Sequence, residues 1–220
     1  KAVEMIVKSK KPVIYSGGGV INAGTKASDA LTEFTRVTNF PITSTLQGLG
    51  AFPGSDPQFL GMLGMHGTYE ANNAMHECDL MINIGARFDD RITGRVDAFS
   101  PNSKKIHVDI DPSSINKIVK VDVAIVGDCL SVLSDMLTTL KNKHSDFCNS
   151  TKENISGWWK QINKWREKKS LSYKQDDKLI MPQYAVERLY EITKSQDAYI
   201  TTEVGPVSYT HLTLPTRSYV

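Results

Sequence analysis

The stretch Pro12-Val13-Ile14-Tyr15-Ser16-Gly17-Gly18-Gly19 decides the fold. A short apolar run, typical of a buried strand, leads directly into three glycines. Glycines in this position let the backbone come close to a phosphate or a flat ring, and the start of a following helix favours negative charge. Asn22 replaces the third glycine of the G-x-G-x-x-G fingerprint, so a simple tight turn stays an equal alternative.

Outward from this run, β-rich segments alternate with amphipathic ones. The predicted strands are residues 12–15, 40–45, 80–84, 105–110 and 121–126, and the predicted helices are residues 27–38, 68–77 and 129–140, with a further helix start at Asp111-Pro112. Residues 47–67, rich in glycine and proline, are predicted to form one long loop. Strands that alternate with helices predict a doubly wound, mostly parallel α/β sheet covered on both faces.

Small or acidic residues follow four of the five predicted strands, and Gln47-Gly48 follows the other. They are Gly17-Gly18-Gly19, Gly85, Asp109 with Asp111, and Gly127-Asp128. Ligands of open α/β sheets bind outside the carboxyl ends of the strands. We therefore expect these loops to converge on one crevice.

Two longer motifs belong to the same set of loops. In the first, residues 63–67 (Leu-Gly-Met-His-Gly), two glycines flank Met65 and His66, which suits a loop folded against a flat cofactor and equally a packed histidine. The second, residues 85–91 (Gly-Ala-Arg-Phe-Asp-Asp-Arg), places two arginines at the mouth of a strand. Arginine holds phosphate or carboxylate through paired hydrogen bonds, and the alternative is a surface ion-pair cluster. The position at a strand end favours the binding role.

The composition is that of an ordinary globular protein. The 220 residues include 26 Lys+Arg and 24 Asp+Glu, a net charge of +2, and 40% are hydrophobic. This balance excludes disordered, collagen-like and coiled-coil chains, and the near-neutral charge argues against nucleic acid as the main partner. No apolar run approaches the roughly 20 residues of a membrane span, so no membrane partner is expected.

Other motifs add little. Cys78, Cys129 and Cys148 have no C-x-x-C spacing, which argues against disulfides and a zinc site and favours a reducing, cytoplasmic compartment. Phosphate-loop, H-E-x-x-H and G-x-S-x-G motifs are absent, so we assign no catalytic residue and no metal ligand. Because Lys1 is not an initiator methionine, we expect the chain to be a piece of a longer protein.

Beyond residue 141 the strand pattern ends. Residues 141–178 are polar and basic and predict a surface segment with one helix. An apolar stripe on that helix predicts docking onto the body, with an exposed partner site as the alternative; its residues are Ile155, Trp158, Trp159, Ile162 and Trp165. Residues 184–192 predict a further helix and residues 198–202 a further strand. Residues 206–220 resemble a translated sequencing adapter.

Two long motifs together resemble the large (catalytic) subunit of acetolactate synthase, also called acetohydroxyacid synthase. They are Phe59-Leu60-Gly61-Met62-Leu63-Gly64-Met65-His66-Gly67-Thr68-Tyr69-Glu70-Ala71-Asn72, preceded by Ala51-Phe52-Pro53-Gly54, and Gly85-Ala86-Arg87-Phe88-Asp89-Asp90-Arg91-Ile92-Thr93-Gly94. The resemblance extends to Gly205. It implies a thiamine-diphosphate-dependent transferase that condenses two pyruvates, or pyruvate and 2-ketobutyrate, with loss of CO2, in branched-chain amino-acid biosynthesis.

The resemblance also implies a domain division. Residues 1–144 would be a central FAD-binding α/β domain, residues 145–181 a surface linker with one helix, residues 182–205 the start of a C-terminal thiamine-diphosphate domain, and residues 206–220 a non-native tail. The family continues with Gln-His where this chain has Pro206-Val207, which fits a foreign tail. The glutamate that activates the thiazolium ring and the Gly-Asp-Gly metal motif are missing from the chain, so the chain alone is expected to be inactive.

Cofactors, partners and site residues follow from the same resemblance. FAD would bind this domain without net redox, and thiamine diphosphate and Mg2+ would bind the full-length enzyme mostly through residues elsewhere. The partners would be 2-ketoacid substrates, further catalytic subunits in a homo-oligomer and a separate regulatory subunit. Arg91 and Met65 would face the active-site entrance, with Arg91 holding the carboxylate of the second ketoacid. The residues around FAD would be Gly17, Gly18, Gly19, Thr45, Leu46, Gln47, Leu63, Gly64, Met65, His66, Gly85, Ala86, Arg87, Asp89, Arg91, Ile92, Asp109, Ile110, Asn116, Gly127 and Asp128.

Two alternatives stay open. The chain could be the middle domain of another thiamine-diphosphate decarboxylase or ligase, which holds a different nucleotide or none. It could also be a nucleotide-binding module without chemistry. Binding of flavin distinguishes them, since a preference for ADP would favour the first alternative.

Overall fold

The computed structural model describes residues 1–198. Its strands are β1 (Pro12–Ser16), β2 (Ile42–Ser44), β3 (Phe59–Met62), β4 (Leu80–Ile84), β5 (Lys104–Asp109) and β6 (Val123–Val126). They form one sheet in the order β3-β2-β1-β4-β5-β6, and every neighbouring pair is parallel. The order reverses between β1 and β4, which confirms the predicted doubly wound α/β class.

Helices flank this sheet. They are α1 (Ala2–Lys8), α2 (Gly18–Asn22), α3 (Thr25–Thr38), α4 (Tyr69–Glu77), α5 (Asp90–Thr93), α6 (Cys129–Lys143), α7 (Ser145–Asn154) and α8 (Ser156–Arg166). A further helix, α9 (Pro182–Thr193), belongs to a separate unit of the chain. Helix α6 packs against α1, α2 and α3, and α8 packs against α4. Both central strands, β1 and β4, are buried at every residue, as expected for parallel strands covered on both faces.

The helix predictions around the sheet are mostly confirmed. In α3, Ala27, Leu31 and Phe34 are buried on one face, as their spacing predicts. The hydroxyl of Thr68 accepts a hydrogen bond from Ala71 N (3.2 Å), so Thr68 caps α4 as predicted. Such a cap satisfies a backbone N–H that has no partner within the helix.

The predicted loop over residues 47–67 is wrong in one part, because it contains β3. This strand is four residues long and includes Gly61, whose φ of +85° is unusual for a strand. Among the described residues it pairs with β2 alone, and the register shifts between Ile42 and Ser44. A short, irregular edge strand among glycines and prolines lacks the apolar pattern by which the other strands are found.

The predicted helix at Asp111-Pro112 is also wrong in extent. Asp111 does cap a turn, accepting hydrogen bonds from the backbone N–H and the hydroxyl of Ser113, both at 2.8 Å. The turn is a single 3-10 turn, Pro112–Ser114, because Ile115 returns to an extended conformation and Asn116 has a φ of +58°.

Residues 145–166 form two helices where one was predicted. The break lies at Ile155, which separates α7 from α8. The predicted docking of the apolar stripe is confirmed, since Ile155, Trp158, Ile162 and Trp165 are buried and Trp159 is partly buried. The indole N–H of Trp158 donates to Pro12 O (3.0 Å), which ties α8 to the start of β1.

Helix α8 also covers an edge of the sheet. Its last residue, Arg166, donates from one guanidinium nitrogen to Pro57 O (2.8 Å) and to Phe59 O (2.9 Å) at β3. On the other side, Gln58 O accepts from Ile42 N in β2. The backbone carbonyls of Pro57 and Phe59, at the start of β3, are therefore bound within the same unit.

Residues 1–170 form one compact unit, and a second begins at Leu171. Within the second, α9 corresponds to the helix predicted over residues 184–192, with Pro182 in its first turn. All but the first residue of the predicted strand 198–202, and the predicted tail 206–220, lie outside the described residues. The division into four segments given above stays a prediction. Within residues 1–198, none of the helices combines the length and apolar character needed to cross a bilayer.

Candidate functional site

The loops after β1 and β4 touch where the strand order reverses. Gly17 N donates to Ile84 O (3.0 Å), and Gly19 N donates to Gly85 O (2.9 Å). A Cβ atom on Gly17 would lie 2.3 Å from Gly85 O, and one on Gly19 would lie 2.7 Å from Gly85 Cα. Only glycine permits this approach. In sheets of this order, dinucleotides bind across the crevice at the reversal.

The loop after β2 joins the same crevice. Thr45 N donates to Ser16 O (2.9 Å), and the hydroxyl of Thr45 accepts from Gly48 N (3.0 Å). A Cβ atom on Gly18 would lie 3.1 Å from Gln47 Cβ, so Gly18 faces the Gln47 turn rather than the β4 loop. The triple glycine is thus in contact with two loops from opposite sides of the reversal.

The Met-His turn after β3 packs against α5. Both ends of the Asn72 side-chain amide bind the backbone of Gly64, at 2.8 and 3.0 Å. Met65 N donates to Arg91 O (3.3 Å), which places the turn beside the second arginine of the 85–91 motif. His66 is exposed, so the alternative of a packed histidine is wrong. Met65 is also exposed, over 68% of its surface.

The 85–91 segment presents charge at the strand ends. The guanidinium of Arg87 lies 3.9 Å from the carboxylate of Asp89, and both side chains are largely exposed, so this ion pair adds little stability. A hydrogen bond with the Asp90 carboxyl group and another from Arg91 N hold the pKa of Asp89 below its usual value. A shallow cavity of about 80 Å3 adjoins this segment and is lined by Arg87, Phe88, Asp89, Ser114, Lys117 and Ile118.

The ends of β5 and β6 complete the row of loops. Gly127 N donates to Asp109 O (3.0 Å), and Asp128 caps α6 by accepting from Ser131 N (3.1 Å). Ile110 is exposed over 69% of its surface. The side-chain oxygen of Asn116 accepts from a backbone N–H, that of Val121, at 2.9 Å. Asn116 therefore holds the shape of its own loop.

The structure brings the predicted loops to one edge of the sheet. The loop after β1 contacts the loops after β2 and β4 directly, and the Met-His turn contacts Arg91 and Ile92. Gly85 also meets the start of α6, since a Cβ there would lie 3.0 Å from the sulfur of Cys129. Burial raises the pKa of the Cys129 thiol to about 11, and Asp128 adds to the shift. Near neutral pH the thiol is therefore protonated and contributes only to packing.

Sequence reasoning missed three buried residues that bind the backbone of the 85–91 segment. Tyr15, Asn83 and His107 are fully buried on three neighbouring strands and bind the backbone of the 85–91 segment. A polar residue inside an otherwise apolar strand is the signal that could have found them, as in Leu80-Met81-Ile82-Asn83-Ile84. Within residues 1–198, no group of three or more His, Cys, Asp or Glu side chains is placed to hold a metal ion.

Comparison with known proteins gives the family. Residues 1–136 match the sequence profile described as "Thiamine pyrophosphate enzyme, central domain". The chain is 46% identical over 205 residues to the acetolactate synthase large subunit of Haemophilus influenzae, and 44% identical to the isozyme 3 large subunit of Escherichia coli K12. It is 42% identical over 206 residues to the acetolactate synthase large subunit IlvB1 of Mycobacterium tuberculosis.

These alignments include 93% of this chain but only 32–35% of each relative. The chain thus spans about a third of the length of the curated relatives that it matches. The matched profile, in contrast, includes more than half of the chain and contains the whole six-stranded sheet. The chain therefore belongs to the thiamine pyrophosphate enzyme family, and residues 1–136 are a central domain of that family.

Proposed function

We propose that this chain is part of the large, catalytic subunit of an acetolactate synthase. The observation that carries the proposal is 40–46% identity, over 93% of the chain, to relatives with that name. The activity would be the condensation of two pyruvates, or of pyruvate and 2-ketobutyrate, with loss of CO2, in the cytoplasm. The name "large subunit" supports a separate small, regulatory subunit as a partner, and further catalytic subunits would complete a homo-oligomer.

In this proposal, FAD binds the carboxyl edge of the sheet. FAD has a diphosphate between two flat ring systems. Within residues 1–198, the backbone N–H groups of Arg87, Phe88 and Asp89 donate to no protein acceptor, and the Arg87 side chain beside them is 79% exposed. Such donors suit a diphosphate. The exposed side chains of Met65 and Ile110 offer apolar surface for flat rings.

Gly18 also favours a flat ligand that binds close to the backbone. Gly18 leaves the space between its backbone and Gln47 without a side chain, since a Cβ atom would already reach 3.1 Å. FAD in such a condensation supplies no net redox change, and its part is to fill and order the crevice. We propose that thiamine diphosphate and Mg2+ are held mostly by residues of the full-length enzyme outside this chain.

The first test is a titration of the 220-residue chain with FAD, monitored by flavin fluorescence, and then displacement of the bound FAD by ADP. We expect FAD to bind more tightly than ADP. The Gly18→Ala substitution should weaken FAD binding several-fold, because its methyl group enters the crevice. Gly157→Ala is the matched control, since Gly157 also lies in the first turn of a helix and a Cβ there meets no atom within 4 Å.

Three results would count against the proposal. A tighter affinity for ADP would favour a central domain from another thiamine-diphosphate enzyme. A Gly18→Ala chain that binds FAD like the unsubstituted chain would move the ligand away from the strand-order reversal. An equal loss of affinity in Gly157→Ala would show that the effect of Gly18→Ala is not local.

A further inference from the structure

A row of buried polar side chains crosses the sheet just below the candidate site. Thr43, Tyr15, Asn83 and His107 are register partners on β2, β1, β4 and β5, so their side chains lie on the same face. All four residues are completely buried. A polar group in such a place costs free energy unless it is hydrogen-bonded. Each of these side chains is therefore expected to have a hydrogen-bond partner.

Three members of the row bind the same turn. The amide of Asn83 donates to Ala86 O (2.8 Å) and accepts from Ala86 N (3.1 Å). His107 Nε2 lies 3.1 Å from Ala86 O, and the hydroxyl of Tyr15 donates to Arg87 O (3.3 Å). A carbonyl oxygen only accepts, so His107 carries a proton on Nε2. Two successive peptide groups are thus fixed from three strands.

The rings of His107 and Tyr15 also pack against Phe88. Its ring is in edge-to-face contact with His107, at a centroid distance of 5.2 Å, and lies 6.2 Å from the ring of Tyr15. Within residues 1–198, His107 Nδ1 has no hydrogen-bond partner, although it is buried. An unpartnered buried nitrogen lowers stability. Apolar residues at these positions would make none of these hydrogen bonds to the turn.

We propose that Tyr15, Asn83 and His107 are positioning residues for ligand binding. They pull the carbonyls of Ala86 and Arg87 toward the sheet, and so hold the turn in the conformation in which the N–H groups of residues 87–89 stay available. This inference rests on the proposed binding of FAD at that turn. Thr43 is not included, because its hydroxyl binds Gly61 O in β3 (2.8 Å).

The first test removes one hydroxyl from the 220-residue chain. Tyr15→Phe keeps the ring and loses only the hydrogen bond to Arg87 O. We expect FAD affinity to fall about three- to tenfold, the range that corresponds to one net hydrogen bond. Thr151→Val is the matched control, since that buried hydroxyl donates to Thr38 O (2.7 Å), between α7 and α3. It should lower the melting temperature without changing FAD affinity.

The second test is a rescue at His107. Gln at this position can still donate to Ala86 O, whereas Leu cannot. We expect His107→Leu to lose FAD affinity about three- to tenfold and His107→Gln to retain most of it. An effect of packing alone would give both variants the same affinity, and that result would overturn the inference. So would an affinity loss in Thr151→Val as large as that in Tyr15→Phe.

A third measurement needs no ligand. Amide hydrogen exchange should be faster in Tyr15→Phe at Ala86, Ile92 and Thr93, whose N–H groups are bound in the unsubstituted chain, and unchanged in α3 and α6. Unchanged exchange at the three amides would overturn the inference whatever the affinity. Absence of FAD binding by the unsubstituted chain, with faster exchange in the variant, would instead overturn the proposed function and leave the anchored turn without that ligand.

Discussion

At the scale of single residues, Arg91 has two separable parts. Its backbone oxygen accepts from Met65 N (3.3 Å) and so joins two loops, whereas its side chain is exposed. A substitution of the side chain should therefore leave the loops in place. This separation makes Arg91 suitable for testing the proposed contact with the second ketoacid.

In a full-length enzyme that contains this chain, Arg91→Ala should impair use of the second ketoacid far more than decarboxylation of the first. In the proposed role, only the acceptor carboxylate needs this cation, and loss of a charge-assisted contact of roughly 1.5–3 kcal/mol corresponds to about tenfold or more in kcat/KM for the acceptor. Steady-state kinetics with varied acceptor, beside single-turnover release of CO2, would measure both steps. The control is Arg95→Ala, whose side chain pairs with Asp97 (2.8 Å). Equal loss of both steps would refute the assigned role.

The buried imidazole of His107 makes the stability of the fold depend on pH. Burial lowers the pKa of His107, and the carboxylate of Asp109, 3.6 Å away, opposes the shift. The unfolded chain therefore takes up this proton at a higher pH than the folded chain. The contribution of His107 to stability is complete above about pH 6.5 and decreases as the pH falls through the folded pKa.

We expect the free energy of unfolding to decrease as the pH falls below about 6.5, and His107→Gln to flatten this decrease. Urea denaturation at a series of pH values would measure it. His76→Gln, at an exposed position on α4, should keep the slope of the unsubstituted chain. An equal slope in His107→Gln would show that another group carries the pH dependence.

At the scale of elements, the α7–α8 pair is part of the core. Thr151 and Trp158 donate to backbone oxygens of Thr38 and Pro12, and the ring of Trp158 meets that of Trp165 edge to face at 5.6 Å. Both contacts span more than a hundred residues of sequence. The segment therefore contributes to the stability of the α/β unit.

Trp158→Ala should lower the free energy of unfolding by about 3–5 kcal/mol, because it leaves a cavity and an unbound Pro12 O. Thermal unfolding followed by circular dichroism would measure the change. Lys160→Ala, two residues along the same helix at an exposed position, should have almost no effect. A small effect of Trp158→Ala would mean that α8 contributes little to the stability of the unit.

Some elements are found from the sequence and others are not. Strands with a continuous apolar run, such as β1 and β4, are found from sequence because burial on both faces requires that run. Strand β3 is not found, since four residues with a central glycine carry no such signal. Most loops of the candidate site are predicted because they follow recognisable strands, whereas the Met-His turn after β3 is found by its flanking glycines. The anchors below them are not, because the hydrogen bonds of Asn83 and His107 depend on which strands become neighbours.

At the scale of the whole molecule, the chain has two compact units that divide at Leu171. Residues 172–180 contain no helix or strand and are largely exposed, with lysines at 174 and 178. Exposed backbone of this kind is where proteases cut first. Limited trypsin digestion should therefore cleave after Lys174 or Lys178 and leave a stable product that contains residues 1–170. Mass spectrometry of the digest would identify it, and first cuts within α6 or α8 would contradict the division.

Arg166 affects whether copies of this chain can associate through the β3 edge of their sheets. A sheet grows from molecule to molecule when an open edge offers free carbonyl and amide groups to a new strand. At the β3 margin, the guanidinium already occupies the outward oxygens of Pro57 and Phe59, so an incoming strand would first have to displace a cation. Lateral stacking into fibrils is thereby discouraged on this side, and contacts between copies there would involve helical surfaces instead.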